Sequence, residues 1–135
     1  MCCLDGVIVG YAYASRHRKR QAYDYDVDVS IYVSPQHHGT GAAELLYQKL
    51  FRILTDLGYC HAYAGYTVPN EKSRKFHEKF GFTPVGTYRR TGYKLGSWHD
   101  VTWLEKSVSP CVDHPPSVKW IGDIPAERLL DILRS

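Results

Sequence analysis

No stretch of this 135-residue sequence is apolar for long enough to cross a bilayer. The opening MCCLDGVIVG also lacks the basic run and cleavage site that mark an exported chain, so the expected location is the cytoplasm, with no membrane partner. Cysteine is scarce. The four present (Cys2, Cys3, Cys60, Cys111) follow no metal-ligand spacing, and adjacent Cys2 and Cys3 are poorly placed to share a tetrahedral ion. All four are read as reduced thiols, with no metal site. A formal net charge of +3 suits a small anionic ligand and does not by itself argue for nucleic acid. Internal repeats and low-complexity tracts are absent, and so are the dinucleotide fingerprint GxGxxG and a Gly-Lys-Ser/Thr phosphate loop. What remains is a chain 44% hydrophobic and 23% charged, which reads as one soluble domain with enough length to bury a core.

The rest of the chain is organised around residues 27–58. Val27, Val29, Ile31 and Val33 alternate with Asp28, Ser30 and Tyr32, a period of two that predicts a strand. Ser34-Pro35 ends it, because proline cannot donate to a ladder. After Gln36-His37-His38-Gly39-Thr40-Gly41, apolar residues recur at three- and four-residue steps from Ala42 to Leu57, and Gly58 follows as a left-handed cap. A strand passing through a glycine-bearing turn into a helix N-terminus is an anion site. First-turn N–H groups have no helical partner, the dipole adds positive charge, and glycine lets a phosphate approach the backbone.

The order of elements extends this frame. Residues 7–14 predict a strand, with 2–5 as the tail of a preceding one and Asp5-Gly6 as a hairpin turn. Arg16-His17-Arg18-Lys19-Arg20 form a dense basic loop, read either as solvated or as a positive field for acidic substrates or phosphates. Nucleic acid is a minor alternative for this loop and is not the expected partner. The central strand spans 23–33, and 61–67 predicts a strand parallel to it through a right-handed crossover. Asn70, the sole asparagine, caps a helix over 71–80 that buries Phe76 and Phe80 and ends at Gly81. Residues 82–88 and 98–108 predict an antiparallel pair joined by a polar loop over 89–97. The domain is expected to span 1–109. Residues 110–135 follow as a proline-rich linker and a short amphipathic helix carrying Ile124, Leu129, Leu130 and Leu133.

The segments VGYAYA, VDVSIYVSPQHHGTG and AGYTVPNEKSRKFHEKFGFTPVGTYRRTGYKLGSWHDVTWLEK resemble the GNAT superfamily of acetyl-CoA-dependent N-acyltransferases, and within it the phosphinothricin N-acetyltransferase-like subgroup. The likeness covers about three-quarters of the chain. It implies an α/β (α+β layered) fold with a central mixed, twisted sheet flanked by helices. It also implies transfer of an acetyl group from acetyl-CoA straight to the free amine of a small amino-acid-like acceptor. On this pattern Ile31, Tyr32 and Val33 would bond the pantetheine chain, and the amides of Gly39, Thr40, Gly41, Ala42, Ala43 and Glu44 would hold the pyrophosphate. Asn70 and Ser73 would lie near the thiol end. Asp28 stands where the subgroup carries a glutamate base, and His77 where it carries a histidine able to act as acid or base. A polar strand face and a side chain packed beside Phe80 are the ordinary alternatives for these two. The amide of Val29 or Ile31 would polarise the thioester carbonyl. Arg20, Tyr23, Tyr93 and Trp98 are expected around the acceptor. The family's first strand and two helices find no counterpart before Cys2. The expectation is an N-terminally shortened chain or a misassigned start, or else a chain completed by a partner through the 124–134 helix, with a homodimer as the assembly. A non-catalytic CoA-binding module is the alternative reading.

Overall fold

A computed structural model describes residues 1–4 and 6–134. Its elements run β1 (Cys2–Leu4), β2 (Val7–Arg16), β3 (Asp26–Val33), α1 (Ala42–Leu57), β4 (His61–Thr67), α2 (Glu71–Lys79), β5 (Thr83–Lys94), β6 (Ser97–Ser107) and α3 (Ala126–Arg134). The six strands form one mixed sheet in the order β1-β2-β3-β4-β6-β5. Every neighbouring pair is antiparallel except β3 and β4, which run parallel as the strand–helix–strand order predicts. β1 pairs with β2, while Asp5 of the expected turn lies outside the described residues.

Alternation along β3 sets the layers. Val27 and Val29 are buried beneath α1, together with Tyr47, Phe51 and Leu54 of that helix, Ala62 and Ala64 of β4, Phe82, and Leu104 of β6. Tyr47 sits at the centre, its ring in edge or tilted contact with Phe51, Phe76, Phe80 and Phe82. Both α1 and α2 therefore pack on one face of the sheet. The intervening residues Asp28, Ser30 and Tyr32 point to the other face, beside Tyr11 and Tyr13 of β2. β2 can lie this close to β3 because position 10 is glycine: a Cβ there would meet the Tyr32 carbonyl oxygen at 2.7 Å.

Three expectations from the sequence need correction. The central strand begins at Asp26, because Gln21–Tyr23 form a 3-10 turn in which the Tyr23 amide donates to Arg20 O. The polar stretch 89–97 is not a loop. Strands β5 and β6 continue through it to a turn at Leu95-Gly96, where both residues have positive φ (51° and 79°). This hairpin projects from the sheet with most of β5 exposed, so its pairing needs no apolar alternation. A register shift between Tyr88 and Gly92 accommodates Arg90, whose amide donates to Asp100 Oδ1. Finally, the residue that anchors α3 is Ile132, which is fully buried, while Leu130 and Leu133 are 45% and 47% exposed. Lys49 of α1 donates to the Leu133 carbonyl, and Arg128 pairs with Asp56 at 2.8 Å, so α3 docks on α1 of its own chain.

Replacing Ile132 by Ala should cost about 2–5 kcal/mol of unfolding free energy. The reading is the urea midpoint at unchanged slope, and an unmoved midpoint would mean that α3 does not dock.

Candidate active site

The parallel pair sets the geometry of the site. β3 and β4 share only three register positions, Asp26↔His61, Val27↔Ala62 and Asp28↔Tyr63, and pairing stops there. The Cys60 amide donates to Tyr25 O on the β4 side, and the Ser34 amide donates to Val9 O on the β2 side. With an unbroken register against β2 between them, odd-numbered residues of β3 turn their N–H and C=O toward β4 and even-numbered ones toward β2. Beyond Asp28 the backbone groups of Val29, Ile31 and Val33 thus face a widening gap. Tyr32 turns its backbone to Tyr11 instead, so the expected trio of Ile31, Tyr32 and Val33 splits two to one.

The gap opens on the helical face into a cleft of about 460 Å³. Ile31 and Val33 form one wall, and Asn70, Ser73, Phe76 and His77 of α2 another. Its floor is the turn Gly39–Gly41 and the start of α1. Gly41 is the α1 N-cap at φ 86° and supplies no side-chain cap. The first amide bonded within the helix is that of Leu45, to Gly41 O at 3.1 Å, which leaves the amides of Ala42, Ala43 and Glu44 without a helical partner. A Cβ built on Gly39 or Gly41 would meet nothing within 4 Å. Open space, bare amides and a dipole end fit a diphosphate. His37 also lines the cleft and its Nδ1 is buried without a partner, while Lys72 Nζ reaches His38 Nδ1 at 3.1 Å across the mouth. Thr40 is the exception within the turn, its hydroxyl and amide both donating to His37 O.

The α2 residues hold one another. Asn70 Oδ1 accepts from the Ser73 amide at 3.1 Å, the ordinary N-cap, while the residue still borders the cleft. His77 is 6% exposed. Its Nδ1 donates to Ser73 O at 2.8 Å, so its Nε2 is the acceptor for the Tyr47 hydroxyl at 2.9 Å. Burial pulls the His77 pKa below its ordinary value and lifts that of the Tyr47 phenol. The imidazole is therefore neutral at pH 7 with both nitrogens engaged.

Asp28 stands at the apex where the strands part, and its carboxylate faces the side of the sheet away from the helices. Two cavities of about 240 Å³ meet there. One is lined by His17, Arg18, Asp28, Tyr63, Tyr88 and Trp103, and the other by Ser15, Asp28, Ser30, Gly65, Tyr66 and Trp103 among others. Gly65 is small because the Trp103 indole lies over it, 3.2 Å from a built Cβ. The residues expected around an acceptor are not those the fold gathers. Arg20 precedes the 3-10 turn, Tyr23 lies within it, and Tyr93 and Trp98 pack on each other at the hairpin tip, none of them lining these cavities. Arg18 and Trp103 line the first of these cavities. The signal for Arg18 was present in the basic loop, but five consecutive cationic or imidazole side chains gave no means of ranking one above another.

The buried neutral His77 has a measurable consequence. The unfolded chain takes up a proton near pH 6.5 that the folded chain resists, so stability is full above that pH and declines below it. Wild type should lose up to about 1.4 kcal/mol per pH unit more than His77→Gln between pH 6.5 and 5. Denaturant titrations at each pH check this, and parallel curves would refute the assignment of a neutral ring.

Sequence and structure comparisons agree with this geometry. Residues 1–82 match the acetyltransferase (GNAT) family. A phosphinothricin N-acetyltransferase of Streptomyces coelicolor is 44% identical over 101 residues, covering 75% of this chain and 59% of that protein. The chain spans 52–59% of the length of the first curated relatives it matches. A crystal structure of an N-acetyltransferase from Staphylococcus aureus aligns with a TM-score of 0.76 at 35% identity, over 78% of this chain and 64% of the other. A phosphinothricin acetyltransferase from Sinorhizobium meliloti, solved with acetyl-CoA, aligns at 0.72 and 31% identity, over 82% and 62%. With its strands parted over a bare helix N-terminus, and with these relatives, the chain belongs to the GNAT acetyltransferase family.

Proposed function

We propose that the chain is an acetyl-CoA-dependent N-acetyltransferase that moves the acetyl group by direct transfer to the free amine of a small amino-acid-like acceptor, in the cytoplasm. The observation that carries this reading is the position of Asp28. It stands at the last shared pair of β3 and β4, lines both cavities on the face opposite the cleft, and lies on the same strand as Ile31 and Val33 of the cleft wall.

Acetyl-CoA, when bound, supplies an activated acetyl thioester. The amides of Ala42–Glu44 would hold its diphosphate, with Lys72 adding positive charge at the mouth and His37 offering a ring nitrogen. Ile31 and Val33 offer extended backbone to the pantetheine arm as a further strand would, and the Val29 or Ile31 amide is the donor for the carbonyl oxygen. Asp28 supplies the negative charge that draws a proton from the acceptor ammonium. Arg18 at the rim suits the acceptor's carboxylate, and Tyr63, Tyr88 and Trp103 form walls for its side chain. Phosphinothricin-like amino acids, as in the name of the Streptomyces relative, and methionine analogues of the same kind are the acceptor class to test first. His77 has the supporting part of keeping Tyr47 and the cleft wall in place. As an assembly we propose a homodimer using the outer face of α3, where Leu130 and Leu133 are exposed.

Acetyl-CoA should raise the melting temperature of wild type and of Asp28→Asn alike, and Gly41→Val should abolish that rise. Thiol release with an amino-acid panel should fall about 10²- to 10⁴-fold in Asp28→Asn. A thermal shift without turnover on any amine would favour the non-catalytic cofactor-binding module.

A further inference from the structure

Next to Asp28 the chain places a second titratable group on the acceptor side. His17 follows the last residue of β2, and its Nδ1 lies 2.5 Å from Asp28 Oδ1. A carboxylate can only accept, so Nδ1 carries the proton, and in the neutral ring Nε2 then holds the free lone pair. The ring is clamped. It stacks on Tyr63 with centroids 4.3 Å apart and planes 17° from parallel, and Trp103 meets its edge at 6.3 Å. His17 and Asp28 side chains are 18% and 28% exposed, and both line the cavity that also holds Arg18 and Tyr88. No described residue makes a hydrogen bond to Nε2. We propose that His17 is the catalytic base for the acceptor amine, with Asp28 as its positioning residue. This deepens the acetyltransferase reading above and rests on it.

The step is a single proton transfer. An N–H bond of the acceptor ammonium breaks, the Nε2–H bond forms, and the positive charge moves from the amine to the imidazole. The resulting imidazolium lies against the Asp28 carboxylate and returns its proton to water through the open cavity. The pairing gives three things a lone aspartate lacks. It fixes the tautomer, extends the reach of the base by one ring, and holds that ring flat on Tyr63 so that Nε2 has one direction. Aspartate is a short side chain on a strand, and a direct contact with the amine would otherwise need a bridging water.

Two measurements test this. In ¹⁵N imidazole spectra at neutral pH, without ligand, His17 should show a protonated Nδ1 and a bare Nε2, and Asp28→Asn should shift it toward the Nε2–H tautomer. In the thiol-release assay, His17→Ala should lower kcat/KM for the amine about 100-fold while leaving the acetyl-CoA thermal shift unchanged, and added imidazole should restore part of the rate. His17→Asn, which can still donate to Asp28 but cannot take a proton, should stay as slow as His17→Ala. A wild-type Nε2–H tautomer overturns the proposal, as does full activity in His17→Asn or His17→Ala. In those cases a wild-type enzyme that still turns over leaves the acetyltransferase reading standing. Absence of thiol release with every amine removes that reading, and this inference with it.

Discussion

A parallel strand pair that stops after three residues is the constraint on which the rest of the structure depends. An extended backbone presents a donor and an acceptor every second residue, and leaving them buried and unpaired costs about 1–3 kcal/mol each. Val29 is only 4% exposed, yet its backbone looks into the gap. No described strand completes that edge. The fold thus keeps a segment of half-open ladder in its interior.

Two further features border the gap. Tyr47 of α1 is fully buried, and its hydroxyl donates to a histidine that is itself tied to the α2 backbone. That bond links the two helices that wall the cleft. The glycine turn adds the second half of the design. Gly39 and Gly41 take positive φ with open space above them, and the helix begins without a side-chain cap, so its dipole end points into the same cleft as the strand edge. Asp28, at the last shared pair of β3 and β4, turns its side chain to the opposite face.

How much of this was legible in the sequence differs from element to element. The β3–turn–α1 unit was readable because each signal is local: valines at a period of two, leucines at three and four, and glycines at the turn and the cap. The role of Asn70 as a cap was equally local. The parting of β3 from β4 was not, since it depends on where β4 stops following β3 and no residue type marks that point. The β5–β6 arms were mistaken for a loop because a strand exposed on both faces needs no apolar alternation and tolerates Gly92 at a bulge. Arg18 and His17 were visible as members of a basic run, but only the path of the chain after β2 turns them toward Asp28 while Arg16 pairs with Asp24. The acceptor side was the least legible because its walls come from β2, β3, β4, β5 and β6, far apart in the chain.

Amide hydrogen exchange with and without acetyl-CoA tests the central claim most directly. Cofactor bound in the gap should slow exchange at the amides of Val29, Ile31 and Val33, and at those of Ala42, Ala43 and Glu44, while the amide of Tyr32, already paired with β2, changes little. Protection at the hairpin or on α3, with those six amides unchanged, would contradict a cofactor seated on the parted strand and the helix N-terminus.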